Sequence, residues 1–164
     1  MILDGKKTAD MITLRISKEV ADIEDKITLS IFLIGQDPAS IVYVNKKLKA
    51  CDDAGILVDS HFLNDTITQK ELIKLIEDCN KNPNIHGILV QMPLPSHIDA
   101  DIILNTIDPN KDVDGLTIVN QGKLLAGEET IVPATPKGVI SILKKNYIDI
   151  PGKNVVMVGR SRLV

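Results

Sequence analysis

The 164 residues are enough for one ordinary domain and a fraction of a second. Apolar residues make up 44% of the chain, so we expect a packed core rather than disorder. Charge is balanced, with 22 acidic against 19 basic residues, and aromatic residues are scarce, so a nucleic-acid-binding protein is not expected.

The cysteines and the apolar segments indicate the cellular compartment in which the protein is expected. Cys51 and Cys79 show neither a CxxC nor a Cys/His metal spacing, so we interpret them as buried thiols in a reducing compartment. The start, "MILDGKKTAD", lacks the apolar core of a signal peptide. The longest stretch without a charged side chain, residues 82–98, contains three prolines, which a membrane helix disfavours. We therefore expect a cytoplasmic protein that does not span a membrane.

Apolar periodicity alternates between helical and strand-like along the chain. The first half predicts a helix over residues 6–23, a strand in "ITLSIFLIG", a helix from about Ser40 to Ala54 that stops at Gly55, and a strand in "ILVDSHFL". The second half predicts a helix after a Thr68/Glu71 capping box, a buried strand in "HGILVQ", a helix in "IDADIILNTI", a helix capped by Thr135 with Pro136 at its first position, and a strand in "NVVMV".

This alternation predicts an α/β fold of parallel βαβ units with right-handed crossovers. A boundary is expected between Asn146 and Pro151. We assign residues 1–146, including a connecting helix over about 135–146, to one domain, and residues 147–164 to the start of another. Ligands of such sheets bind beyond the carboxyl ends of the strands, so the residues there are the candidates for a site.

Tyr43 and Lys47 follow the first strand. They are four residues apart on the predicted helix, beside a core-facing stripe of Ile41, Val44, Leu48 and Cys51, so their side chains stand one above the other. A ring to stack on a ligand and an amine to move a proton is one interpretation. A boundary tyrosine beside an ordinary exposed lysine is the other.

Gln91 ends the third strand, in "QMPLPSHI". A glutamine at the end of a buried strand is costly unless its amide is hydrogen-bonded, and the two prolines stiffen the loop that follows. The amide either serves a ligand or bonds a neighbouring backbone group, and the sequence leaves both open.

Asp112, Asp114 and Gly115 form an acidic turn in "NKDVDGLTIVN". It resembles a loose calcium loop, but no glutamate stands at the last ligand position. The alternative is a solvated turn, although the apolar "LTIV" places it against the core. A carboxylate there would then need a partner, such as a ligand with paired N–H donors.

The tail and the histidines complete the candidates. "VVMVGRSRLV" matches only the start of G-x-G-x-x-G, and Arg160 with Ser161 could meet a phosphate, in a way compatible with NADP. His61, His86 and His97 form no pair at metal spacing, so we interpret them as structural or surface residues and expect no metal site.

Five segments together resemble one family. "YVNKKLKACDDAGI", "GILVQMPLP", "NKDVDG", "PATPKG" and "GKNVVMVGRS" occur in the order and spacing of the bifunctional methylenetetrahydrofolate dehydrogenase/methenyltetrahydrofolate cyclohydrolase family, and the similarity begins at "ILDGK". The resemblance implies a three-layer folate-binding catalytic domain of an aminoacid-dehydrogenase-like fold, followed by the first strand of a truncated Rossmann domain. It also implies a cytoplasmic homodimer in one-carbon metabolism, with folate as substrate and NADP rather than NAD as cofactor, serving purine, methionine and histidine biosynthesis.

The resemblance also implies residue roles. Lys47 would be the central catalytic residue, and Gln91 would support it and polarise the substrate. Tyr43 would stack beside the folate, Pro93 would line the pocket, and Asp114 would grip the aminopyrimidine edge of the pterin. Tyr43, Gln91 and Asp114 would complete the catalytic set with Lys47. Gly159, Arg160 and Ser161 would begin the NADP site.

The sequence departs from the family pattern at two places. Ala134 stands in "PATPKG" where many relatives have cysteine, so a thiol there is not needed for this chemistry. The chain also stops at Val164, before the remainder of a nucleotide-binding domain. We therefore expect a fragment with little or no dehydrogenase activity and with weak or absent cyclohydrolase activity. A non-catalytic folate-binding module is the alternative, whereas a shikimate-type dehydrogenase would not explain "GILVQMPLP" and "DVDG" together.

Overall fold

The computed structural model describes residues 2–159, and in that range it has three strands and six helices. They are, in chain order, α1 (Gly5–Ala21), β1 (Thr28–Ile34), α2 (Pro38–Ala54), β2 (Leu57–Leu63), α3 (Gln69–Lys81), β3 (Gly87–Val90), α4 (Ala100–Thr106), α5 (Ile118–Ala126) and α6 (Ala134–Lys145).

The three strands form one parallel sheet in the order β2-β1-β3. The chain passes through α2 from β1 to β2, and then through α3 past β1 to β3 on the other side. Phe32 in the central strand pairs with His61 on one side and with Val90 on the other. The expected parallel α/β fold is therefore confirmed.

Helices cover both faces of the sheet, as the expected three-layer arrangement requires. On β1, Ile31 and Leu33 pack with Val44 of α2, whereas Phe32 and Ile34 pack with α3 and α4 on the opposite face. This alternation follows from the period of two along a strand. Each fully buried side chain of this size contributes about 1.5–3 kcal/mol, so the sheet is held from both sides.

Local sequence signals set several helix ends. Asp37 caps α2 by accepting a hydrogen bond of 2.7 Å from the backbone N–H of Ser40, so the helix begins at Pro38, two residues before the predicted start. Gly55 ends it with a φ of +78°, as predicted. Both hydrogen bonds of the Thr68/Glu71 capping box are present.

Three expectations about the second half were wrong or incomplete. The sequence reasoning missed α5. Thr135 does not cap α6, because the helix already begins at Ala134 after Pro133, and Pro136 is tolerated in the first turn, where no intrahelical N–H bond is needed. Residues 154–158 form no strand within the described chain, since no neighbouring strand pairs with them and Val156 and Val158 are 89% and 96% exposed.

Helix α6 ends at Lys145, close to the predicted boundary, and the division into domains at that point stays a prediction. No helix in residues 2–159 combines the length and the hydropathy needed to cross a bilayer.

Candidate active site

A cavity of about 300 Å³ opens at the carboxyl end of β3, beside α2, the helix that follows β1. The helix after β1 and the helix before β3 lie on opposite faces of the sheet, which leaves a crevice at this edge where ligands of α/β proteins bind. The cavity is lined by Tyr43, Lys47, Val90, Gln91, Met92, Asp114, Leu116, Pro133, Ala134 and Thr135. Four of the predicted site residues, Tyr43, Lys47, Gln91 and Asp114, are therefore brought together.

Lys47 and Gln91 are joined directly. The Nζ of Lys47 donates to Oε1 of Gln91 over 3.0 Å, and Nε2 of Gln91 donates to the carbonyl oxygen of Met92 over 2.7 Å. The backbone N–H of Gln91 extends the β1–β3 ladder with a bond of 2.9 Å to the carbonyl of Phe32. Both ends of the amide are thus occupied, so Gln91 holds the lysine amine in place without adding charge.

Helix α2 positions Tyr43 and Lys47. Its buried residues, including Val44 and Cys51, face the sheet, and this turns the neighbouring face toward the cavity. Tyr43 is 61% exposed, although its side chain lines the cavity, so its ring is free to contact a ligand. Ser40 ties the start of the helix to the loop after β3 through a hydrogen bond of 3.4 Å to the carbonyl of Met92.

The two carboxylates of the acidic turn have different environments. Asp112 is buried and accepts hydrogen bonds from the backbone N–H groups of Leu116 and Thr117 and from Nδ2 of Asn120, at 3.1, 2.8 and 2.9 Å. Asp112 therefore organises the turn. Asp114 lines the cavity instead, and it is the carboxylate available to a ligand.

The charge of Asp114 is set by its surroundings. Burial raises the pKa of its carboxyl group, the charge of Lys47 works in the opposite direction, and Asp112 adds to the rise. The carboxylate and the amine thus attract one another across the cavity. A cationic or hydrogen-bond-donating ligand placed between them would satisfy the carboxylate.

Gly115 fixes the turn that carries Asp114. Its φ is +67°, and a Cβ at this position would lie 2.6 Å from the carbonyl oxygen of Ile131. Only glycine permits both this backbone conformation and this close approach. The contact also places the segment before α6 beside the turn, so that Pro133 closes one wall of the cavity.

Sequence reasoning missed part of the lining. Met92, Leu116 and Pro133 were not named as site residues, and "PATPKG" was used only for a helix start and for the resemblance. The available signal was the predicted start of a helix in "PATPKG", together with the apolar residues that follow Asp114. The missed residues that the structure places in the lining are Val90, Met92, Leu116, Pro133, Ala134 and Thr135.

The other predicted site residues lie elsewhere. Pro93 follows a cis peptide bond, is exposed and is not among the residues that line the cavity. Its contact with a substrate stays a prediction. Gly159 is exposed, and Arg160 and Ser161 lie outside the described residues.

Comparison with known proteins gives a consistent picture. The sequence model described as tetrahydrofolate dehydrogenase/cyclohydrolase, catalytic domain, matches residues 3–114. A relative from Nautilia profundicola, named bifunctional protein FolD, is 47% identical over 99% of this chain. This chain spans 58% of that relative's length.

Solved structures agree with the sequence comparison. The bifunctional enzyme FolD, a methylenetetrahydrofolate dehydrogenase/cyclohydrolase, from Campylobacter jejuni superimposes with a TM-score of 0.98 at 41% identity, covering all of this chain and 60% of that one. The Trypanosoma brucei dehydrogenase-cyclohydrolase, complexed with NADP cofactor and inhibitor, gives a TM-score of 0.94 at 34% identity, covering 99% of this chain and 57% of that one.

Proposed function

Since the chain belongs to the tetrahydrofolate dehydrogenase/cyclohydrolase family, we propose that its cavity binds the pterin end of a tetrahydrofolate and that Lys47 moves protons in the cyclohydrolase reaction. The observation that carries this proposal is the 3.0 Å hydrogen bond between Lys47 and Gln91, in a cavity that Tyr43 and Asp114 also line. The amine and the amide are suited to proton transfer, and the carboxylate and the phenol ring are suited to holding a pterin.

Asp114 supplies recognition in this proposal. A carboxylate offers two acceptor oxygens, which match the paired N–H donors on the aminopyrimidine edge of a pterin. Because burial makes the empty carboxylate costly, a donor pair that satisfies it gains more than it would on the surface. The exposed ring of Tyr43 provides a flat surface for the adjoining aromatic part of the folate.

Lys47 supplies the proton transfers. In the hydrolysis of methenyltetrahydrofolate, the oxygen of water forms a bond to the methenyl carbon, and water loses a proton. One carbon–nitrogen bond then breaks, the departing nitrogen gains a proton, and the former water oxygen loses its remaining proton to solvent as it becomes the formyl carbonyl. One amine that accepts the first proton of water and gives it to the departing nitrogen serves both transfers, so the net products are formyltetrahydrofolate and one proton. Gln91 keeps this amine in position and adds no charge beside it.

The dehydrogenase step and NADP belong to the proposal as well. NADP, when bound, would accept the hydride from the methylene carbon. Among the described residues, 154–158 pair with no strand, and Arg160 and Ser161 lie outside that range. Binding of NADP by Gly159, Arg160 and Ser161 therefore stays a prediction.

Family membership supports the remaining proposals. We propose that the protein works in the cytoplasm, as a homodimer, in one-carbon metabolism that serves purine, methionine and histidine biosynthesis. A non-catalytic folate-binding module is the alternative function. It would need Asp114 and Tyr43, but it gives no reason for the Lys47–Gln91 pair, which favours the enzyme.

The test is hydrolysis of 5,10-methenyltetrahydrofolate by the 164-residue chain, followed by its absorbance. Lys47→Met keeps most of the side-chain stem and removes the amine, and Lys46→Met is the matched control on an exposed neighbour. We expect the acceleration above the buffer rate to fall at least about 100-fold in Lys47→Met and to persist in Lys46→Met. Where the unmodified chain exceeds the buffer rate, an equal rate in Lys47→Met would contradict a proton-transfer role for Lys47. An unmodified chain that does not exceed the buffer rate would favour the non-catalytic alternative.

A further inference from the structure

We propose that Asp59, His61 and Cys79 form a binding site for a divalent transition-metal ion of the zinc class, on the sheet face opposite α2. One ligand atom from each of the three residues lies within 4.8 Å of the other two. The sequence showed no metal spacing, because the third residue lies on a different element from the first two. The fold brings them together.

Strand register explains the first two ligands. Asp59 and His61 are two residues apart on β2, so their side chains leave the same face of the sheet. They pair with Ser30 and Phe32 of β1, and Phe32 belongs to the core that α3 covers. Asp59 and His61 therefore lie on the α3 face of the edge strand.

Helix α3 brings the third ligand. Its buried residues are Leu72, Ile76 and Cys79, spaced by four and three positions, which is the inward stripe of a helix. Leu72 and Ile76 fill the centre of the core, and Cys79 continues the stripe to the edge strand. The sulfur thereby reaches the Asp59–His61 pair.

The ligands are already oriented by other contacts. The imidazole of His61 stacks on Phe32 with ring centroids 4.3 Å apart and an interplanar angle of 6°, and its Nε2 lies 2.9 Å from Oδ2 of Asp59. The sulfur of Cys79 lies 3.4 Å from Oγ of Ser30. Tetrahedral zinc with bonds of about 2.0–2.3 Å places its ligand atoms roughly 3.3–3.8 Å apart. A separation at the 4.8 Å limit would therefore have to shrink by about 1 Å, and the 2.9 Å contact between Asp59 and His61 would have to widen. Side-chain rotation supplies such a change.

The site is open on one side. The side chains of Asp59 and His61 are 45% and 23% exposed, while Cys79 is buried beneath them. An ion can therefore approach from solvent and keep a water molecule as its fourth ligand. The three protein ligands, one oxygen, one nitrogen and one sulfur, suit a borderline ion such as Zn²⁺ or Co²⁺ better than Mg²⁺ or Ca²⁺.

Nearby charges are compatible with a cation. Asp78 adds negative charge near the sulfur. The amine of Lys111, held by the carbonyl oxygens of Cys79, Asn80 and Asn82 at 2.7–3.0 Å, carries a positive charge that partly offsets it. Burial raises the pKa of the Cys79 thiol, so an ion that binds must displace its proton. The alternative is a purely structural Asp59–His61 pair, because inward polar residues on an edge strand discourage pairing with other sheets.

Cobalt reports directly on a thiolate ligand. The reduced 164-residue chain is titrated with Co²⁺, and absorption is followed in the near ultraviolet, where thiolate-to-cobalt charge transfer appears, and in the visible. We expect saturation at one equivalent with a charge-transfer band, and displacement by Zn²⁺. Absence of that band at saturating Co²⁺ would overturn the proposal. No folate is present, so the result does not depend on the proposed function.

Variants assign the ligands. Cys79→Ala should abolish the charge-transfer band, whereas Cys51→Ala, which changes the other buried cysteine, should leave it intact. His61→Phe keeps a ring to stack on Phe32 and removes one ligand, so we expect cobalt binding at least about tenfold weaker. If Cys79→Ala fails to fold by circular dichroism, His61→Phe decides alone. A band that survives Cys79→Ala, or unchanged affinity in His61→Phe, would refute the site.

Discussion

The Nζ of Lys47 and Oε1 of Gln91 lie 3.0 Å apart, although 44 positions separate the two residues in the chain. One stands on α2 and the other directly follows β3, so the hydrogen bond joins two sides of the crevice. The amide is itself fixed by Met92, so the position of the amine is determined by the sheet rather than by a flexible side chain alone. The proposed proton transfers depend on this pair.

Changing Gln91 should separate positioning from charge. Gln91→Leu removes the acceptor of the Lys47 hydrogen bond, and we expect the hydrolysis of methenyltetrahydrofolate to fall about 10- to 100-fold because the amine is no longer held. Gln91→Glu keeps an acceptor for that bond but adds a negative charge beside the amine, so a loss of activity in this variant measures the effect of charge. Full activity in Gln91→Leu would contradict the positioning role of Gln91, and full activity in Gln91→Glu would contradict the need for a neutral partner.

Removal of the Asp112 carboxylate should destabilise the fold, whereas removal of the Asp114 carboxylate should not. Asp112→Ala leaves buried donors on Leu116, Thr117 and Asn120 without their acceptor, and we expect a loss of about 2–4 kcal/mol in the free energy of unfolding. Asp114→Ala should cost little or nothing, because no protein hydrogen bond depends on it in the structure described. Urea unfolding followed by circular dichroism measures both. Equal destabilisation would mean that Asp114 also supports the turn.

Asp114→Asn should raise the free energy of unfolding, and the size of this gain should depend on pH. Because burial raises the pKa of Asp114, the folded chain keeps this proton to a higher pH than the unfolded chain does. The contribution of Asp114 to the free energy of unfolding is therefore fully present below the ordinary carboxyl pKa of 3.8. It is lost as the pH rises through the raised pKa of Asp114 in the folded chain. Asp114→Asn should then be more stable than the unmodified chain at neutral pH, and the difference should shrink toward pH 4. A difference that does not vary with pH would contradict the burial of this carboxylate.

Gly115→Ala should damage the site through the backbone. The added Cβ would meet the carbonyl oxygen of Ile131 at 2.6 Å, and alanine disfavours a φ of +67°. We expect a loss of roughly 2 kcal/mol or more in the free energy of unfolding, together with weaker folate binding. Gly127→Ala is the matched control, since its φ is also positive, at +75°, but nothing lies within 4 Å of its Cβ. If the two variants lose equal stability, the contact with Ile131 has no effect.

Local sequence signals predicted much of the fold. The Thr68/Glu71 capping box, the stop at Gly55 and the buried strand before Gln91 each depend on a few adjacent residues, so they can be read from the chain. The stripe on α2 likewise placed Tyr43 and Lys47 beside one another.

Features that depend on tertiary contacts were not predictable in this way. Helix α5 has exposed apolar residues such as Ile118 and Leu125, and its one buried residue, Asn120, bonds Asp112 and the carbonyl of Pro109. A helix held by polar contacts has no apolar stripe to detect. For the same reason the sequence did not reveal which of Asp112 and Asp114 is structural, because that depends on donors supplied by the later helix.

Calorimetric titration of the 164-residue chain with tetrahydrofolate, which has the same aminopyrimidine edge but no one-carbon bridge to hydrolyse, tests the central claim, that this cavity recognises a pterin through Asp114. We predict binding at one equivalent, with a dissociation constant raised at least about tenfold in Asp114→Asn, which corresponds to about 1.4 kcal/mol. It should be unchanged in Asp53→Asn, where the exposed carboxylate pairs with Lys49 on α2. Absence of binding, or equal dissociation constants for the Asp114→Asn and unmodified chains, would contradict the account.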